Sequence, residues 1–307
     1  MRRFKTWQLF AICVLVWGTT WHAITYQIGE FPAELSVALR FALAGASVLA
    51  LCRWRRVALA FSARDHAALA LQGVFLYGVS YVCVYHAERF VPSGLVAVGY
   101  SAAPLLGGVG AALVFKAPIG GRFVFGGVLA LCGVALIFWP EVARSGDAER
   151  AALGALLTVA SVLLSAVGSL AASRNRSRGV SLLPAMGFGM LYGALAAAAV
   201  ALAFGRSVVW PTAPSWWIAL AFLAWAGSVL TFACFLTLQD RVGPGPAGTV
   251  GVMTPLLALI VSLAFEGFRP DALTALGAAL AVAGNVLMLS PGRSGLRAAP
   301  VAVRAAE

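Results

Sequence analysis

Apolar runs of roughly twenty residues, separated by short polar or basic connectors, recur along nearly the whole chain. A helix needs about 20 mostly apolar residues to cross a bilayer's hydrocarbon core. Ten stretches reach that length: Trp7–Tyr26, Pro32–Leu51, Ala67–Ala87, Ser93–Phe115, Gly120–Trp139, Leu153–Ala172, Leu183–Phe204, Trp216–Leu238, Ala247–Phe265 and Ala272–Leu289. A polar stretch, Pro140–Ala151, divides the first five from the second five. From Pro291 the chain is basic, rich in small residues and without an apolar span, so 291–307 is expected to be a disordered tail. The pattern predicts an all-α membrane protein of ten spans, one transmembrane domain over 1–290.

The two sets of five repeat each other. Sliding the sequence by 151 positions brings Val91 onto Val242, Gly94 onto Gly245 and Pro104-Leu105-Leu106 onto Pro255-Leu256-Leu257. The same shift brings Gly126 onto Gly277 and Gly133 onto Gly284. Repeat one covers about 7–139 and repeat two about 153–290. Five is odd, so the second copy enters the membrane from the opposite side. The copies are then inverted repeats about a pseudo-two-fold axis in the membrane plane, an arrangement of secondary transporters that puts the substrate site at mid-depth.

Composition supports the bilayer as solvent. Only 11% of residues are charged and mean hydropathy is +0.91, against about 25% charged residues in soluble domains. The net charge of +11 would point to nucleic acid in a soluble chain, but here it reports topology. With the amino terminus inside, sixteen Lys and Arg residues fall on the inner side, among them Arg2, Arg3, Lys5, Arg53, Arg55, Arg56, Arg174, Arg176 and Arg178. The outer side holds five: Arg89, Arg144, Arg150, Arg206 and Arg269. Basic residues favour the cytoplasmic side, which places both termini in the cytoplasm. The first apolar run is too long for a signal peptide and lacks an A-x-A cleavage pattern, so it reads as the first span. Five scattered cysteines with no C-x-x-C pair argue against a disulfide framework or a zinc site.

Trp17-Gly18-Thr19 in the first span, Pro32 with Arg40-Phe41 in the second, Pro104 in the fourth and Gly126 with Gly133 in the fifth, echoed by Pro255, Gly277 and Gly284, resemble the drug/metabolite transporter superfamily. The resemblance is to its ten-helix EamA-type members and covers about residues 7–290. It implies export of small metabolites such as amino acids, with spans three, four, eight and nine, plus one and six, around a central cavity. Within the family the chain is similar to exporters of aromatic and neutral amino acids. It departs in the second half, where Tyr192 stands roughly where an arginine would repeat Arg40.

Several residues could do the work. Arg40 lies eight residues into its span, about 12 Å along the axis at 1.5 Å per residue, too deep to reach the interface. A charge at that depth faces the bundle interior or a wet cavity. It reads either as a contact to a substrate carboxylate or as a buried strut to a neighbouring helix. Tyr77 and Tyr81, with Tyr100 on the next span, are too deep for an interfacial belt and need partners for their hydroxyls. Ser228 and Phe232 are their counterparts in the second repeat, and all five are expected to line an aromatic cavity. Trp17, near mid-span, joins them, as does Ser165 from the Ser161/Ser165/Ser169 stripe, which reads equally well as a helix-packing seam. Pro104 and Pro255 each remove a mid-helix hydrogen bond and are expected to act as hinges.

Tyr85, near a span end, reads as a belt residue, Glu88 as a wet loop residue, and His22 and His86 either as proton-binding groups or as structural or solvated side chains. All eleven acids sit in loops, tails or terminal helical turns, so no acid is expected at mid-depth. Without such an acid, and without a nucleotide-binding sequence, facilitated export or exchange is the simplest mode. A catalytic constellation, a cofactor and a metal site are not expected. The expected partners are a small-molecule substrate and the lipid bilayer, with no nucleic acid, and one copy of the chain suffices.

Overall fold

The computed structural model describes residues 4–29, 31–116, 119–144, 148–242 and 247–289. The expected tail and the Gly94–Gly245 match lie wholly or partly outside those residues. Ten helical spans follow one another: α1 Thr6–Thr25, α2 Ala33–Trp54, α3 Ala63–Ala87, α4 Ser93–Val114, α5 Gly121–Arg144, α6 Ala148–Ser177, α7 Leu182–Ala203, α8 Pro214–Leu238, α9 Val250–Phe265 and α10 Ala272–Leu289. Among the described residues, nine are long and apolar enough to cross a membrane by themselves, and α9 is a shorter apolar helix.

Two boundaries differ from the hydrophobic pattern for local reasons. α3 begins a turn earlier because Ser62 and Asp65 form a reciprocal cap: Asp65 N–H donates to Ser62 Oγ and Ser62 N–H donates to the Asp65 carboxylate, both at 3.2 Å. That box satisfies two free donors of the first turn and lets polar residues enter the helix. The polar stretch between the halves is mostly helical as well. α5 continues through Pro140 to Arg144, and α6 resumes at Ala148.

The halves pack according to an inverted symmetry. α2 lies against α7, and α5 against α10, as the two most extensive helix pairs. α1 packs on α9 and α8, while its counterpart α6 packs on α4 and α3. The α5–α10 seam shows the operator residue by residue. A Cβ on Gly126 would lie 2.6 Å from the Gly284 carbonyl oxygen, and one on Gly133 would lie 2.5 Å from that of Gly277. Numbers rise on one helix as they fall on the other, so the helices are antiparallel. Exchanging the halves turns the 126–284 pair into 277–133. Only glycine permits such backbone contact, the small-residue packing that membrane helices use where no hydrophobic force joins them.

Both repeats depart from α-geometry at the same place. α3 is π-helical over Val74–Val79 and α8 over Phe222–Leu230, and the 151-residue shift puts the first inside the second. A π-segment widens the turn and frees backbone groups. Side chains recover two of them in α8, where Ser228 Oγ donates to the Leu223 carbonyl at 2.9 Å and Thr231 Oγ1 to that of Ala226 at 2.6 Å.

Candidate functional site: a central aromatic cavity

A cavity of about 290 Å³ lies between α1, α3, α4, α6, α8 and α9, the six helices that the sequence resemblance implied. Its walls are aromatic. Trp17 and Trp21 come from α1, Tyr77 and Tyr81 from α3, Tyr100 from α4 and Phe232 from α8. The rings support one another. Trp17 meets Phe232 edge-on at 5.1 Å, Trp21 lies 5.1 Å from Tyr100, and Tyr77 lies 6.1 Å from Phe232. Thr20, Ser165 and Thr254 add hydroxyls. Among the described residues, no charged side chain lines the space.

The π-segment of α8 holds one wall. Trp17 Nε1–H donates to the Gly227 carbonyl at 3.0 Å, a group within that segment. The indole's polar edge is thus satisfied by backbone, and its ring forms wall.

Both prolines border the cavity. In α4 the turn Tyr100–Ala102 is 3₁₀, and Ala103 N–H reaches the Tyr100 carbonyl that Pro104 cannot serve. In α9, Pro255 has no N–H to offer the Gly251 carbonyl, and Gly251 itself lines the space. Each break therefore falls where backbone meets a cavity rather than lipid, as an unsatisfied group at membrane depth requires.

Of the residues singled out from sequence, Trp17, Tyr77, Tyr81, Tyr100, Ser165, Phe232, Pro104 and Pro255 share this cavity. Arg40 and Ser228 stand behind its wall. Arg40 is 2% exposed; its guanidinium packs 4.8 Å from the Tyr81 ring and 5.1 Å from Phe41, and Nε–H reaches Ser228 Oγ at 3.4 Å. Its Nη1 has no hydrogen-bond partner. Tyr192, the departure in the second half, bonds His66 Nδ1 at 2.9 Å, away from the cavity. Thr20, Trp21 and Thr254 are wall residues not assigned to the cavity from sequence. Trp21 had a signal, since it lies one turn beyond Trp17.

Tyr85 and Glu88 depart from expectation, at the end of the bundle away from the amino terminus. Tyr85 is no belt residue: it is fully buried and donates to Gln27 Oε1 at 2.8 Å. Glu88 is no wet loop residue, being 9% exposed with neither carboxylate oxygen hydrogen-bonded. The two histidines at this end pair with acids, His86 Nε2 with Glu34 at 2.9 Å and His22 Nδ1 with Glu266 at 3.0 Å. Arg206 joins Glu34 at 3.5 Å. Glu266 also accepts from Ser93 N–H at 3.0 Å, from Ser93 Oγ–H, and from Ser262 Oγ–H at 2.8 Å. It therefore ties the ends of α1, α4 and α9 together. Beside it, a Cβ on Gly94 would lie 2.8 Å from Ser262 Cβ, so α4 and α9 are in close contact here. Beyond Pro104 the remainder of α4 parts from α9. The helices close over the cavity at this end.

Two inverted five-helix units around a mid-depth cavity define a polytopic membrane carrier. The chain belongs to the EamA-like transporter family, whose sequence model matches residues 5–139 and 152–290. It is 22% identical over 259 residues to Protein PagO of Salmonella typhimurium (strain LT2), covering 84% of each chain. It is 27% identical over 271 residues to YedA of Escherichia coli (strain K12), described as an uncharacterized inner membrane transporter, covering 84% of this chain and 82% of that one. A crystal structure at 22% identity superposes with a TM-score of 0.66 over 91% of this chain and 94% of its own, which shows the shared fold.

Proposed function

We propose that this chain exports neutral and aromatic amino acids across the inner membrane by alternating access, with both termini in the cytoplasm. The observation that carries this reading is the cavity wall. Six aromatic rings, three aliphatic-chain hydroxyls and no charged side chain among the described residues surround about 290 Å³. That volume sits at the small end of ligand pockets, about 300–1,000 Å³, and suits one small metabolite. Aromatic faces stack on an apolar side chain and attract an ammonium group through their quadrupoles. Anionic phosphates would want several basic groups in the wall. Inner-membrane placement draws on the YedA likeness, and the basic residues of the inner connectors favour this orientation.

Export runs down the substrate gradient or by exchange as the halves rock about the cavity, with residues 1–290 acting as one domain. Flux of the twenty amino acids from proteoliposomes, repeated on Trp17→Ala and Tyr81→Ala, tests the reading. Both variants are expected to lower aromatic amino-acid flux about tenfold, equivalent to about 1.4 kcal/mol, and to reorder substrate preference. An unchanged preference in both, or uptake driven only by a pH gradient, would overturn the proposal.

A further inference from the structure

At the closed outer end, one group does not fit a static clamp. Glu88 follows α3, and both of its carboxylate oxygens are buried without a hydrogen-bond partner. Its neighbour Glu266 collects four donated contacts. An ionised carboxylate taken from water with neither a donor nor a counter-ion in contact costs many kcal/mol, and such a group takes up a proton instead.

We propose that Glu88 is a proton-binding site of the outer gate, holding a proton while that end is closed and giving it up when the end opens. The inference rests on the alternating-access part of the proposed function and not on the identity of the substrate. Of the charged groups at this end, Glu266 and Arg40 act on Glu88 directly, and others lie on the neighbouring elements. α2 contributes Arg40 and Glu34; α1 contributes His22, held by Glu266 at the end of α9; and Arg206 follows α7. α6 contributes Arg150, whose guanidinium lies 5.7 Å from the Phe90 ring, and Tyr85, His86 and Arg89 flank Glu88 on its own segment. Burial, reinforced by the Glu266 charge, pushes the Glu88 carboxyl well above the ordinary carboxylate value, and Arg40 offsets this only in part.

The step balances simply. When α4 and α9 part at Ser93 and Glu266, water reaches Glu88, the O–H bond breaks, and the proton passes to water on the outer side, leaving a hydrated carboxylate. On closure the carboxylate takes a proton back from the same side. No proton crosses the membrane, so substrate flux remains downhill. The sign follows from linkage: the closed form binds one proton more than the open form, so rising outer pH favours opening. The closed-to-open ratio changes by up to tenfold per pH unit between the ordinary carboxylate value and the raised one.

The test uses the full chain in lipid nanodiscs and needs no substrate. Infrared titration should show a protonated-carboxyl band near neutral pH that is lost in Glu88→Gln. Spin labels at the exposed positions Arg89 and Arg269, introduced as Arg89→Cys and Arg269→Cys in a background without the native cysteines, report the α4–α9 separation. From about pH 5 to about pH 9 the wild type should gain a long-distance population, while Glu88→Gln, fixed in the neutral form, should keep the short distance throughout. An equal pH response in Glu88→Gln, opening on acidification, or no protonated-carboxyl band in the wild type would each overturn the proposal. The last outcome is read on the wild type and holds even if the variant fails to fold.

Discussion

Glu266 shows how much one side chain can do at a helix end. Burial by itself pushes its carboxyl up, but hydrogen bonds from Ser93, His22 and Ser262 outweigh that and hold it below the ordinary carboxylate value. A group whose value is lowered in the assembled state stabilises that state above its ordinary value, about 4.3. That stabilisation is lost as pH falls through the lowered value. Thermal unfolding in nanodiscs is therefore expected to be insensitive to pH near neutrality on account of Glu266 and to weaken below about pH 4. Glu266→Gln should abolish that acid limb and cost about 1–3 kcal/mol at neutral pH, the scale of hydrogen bonds to a charged group. An acid limb of the same size in the variant would show that the four contacts do not act through the carboxylate.

At the scale of elements, two devices recur in both halves. The first is the glycine seam. Gly284→Val would drive a branched side chain toward the Gly126 carbonyl, where even a Cβ would stand 2.4 Å away. The α5–α10 contact is backbone on backbone and cannot yield by rotating a side chain. The expected loss is about 1–3 kcal/mol or failure to assemble, read as a fall in melting temperature. Gly251→Val, with nothing within 4 Å of its would-be Cβ, is the control and should melt like the wild type. The second device is the proline break. Restoring the missing N–H with Pro104→Ala or Pro255→Ala should straighten α4 or α9 and slow flux several-fold while leaving equilibrium binding of a transported amino acid nearly unchanged. Equal loss of binding and flux would make the prolines part of the wall only, not hinges.

At the scale of the whole molecule, the end closed around Glu266 is one state of the cycle proposed above. Gly251→Cys, on the exposed cavity wall of α9, should react with a polar thiol reagent added at the amino-terminal side and be protected by a transported substrate. Reaction from the opposite side alone would reverse the assignment of the closed end. This architecture was largely legible in the sequence, because span length, the 151-residue repeat and deep aromatic residues are local or periodic signals. The proline breaks at Pro104 and Pro255 were legible for the same reason. The outer network was not. Glu34, Glu88 and Glu266 each lie within two residues of a span end, where a single chain segment would leave them wet. Their burial arises only when the ends of α1, α2, α3, α4 and α9 converge. The π-segments left no trace either, since Val74–Val79 and Phe222–Leu230 are ordinary apolar text.

The antiparallel glycine contact between α5 and α10 has a mechanical consequence. With main chain against main chain at two levels seven residues apart, that seam has no compressible layer, and sliding would drive atoms through one another. The motion of the proposed cycle must leave it nearly still, as a fulcrum does. The travel must then accumulate with distance from it.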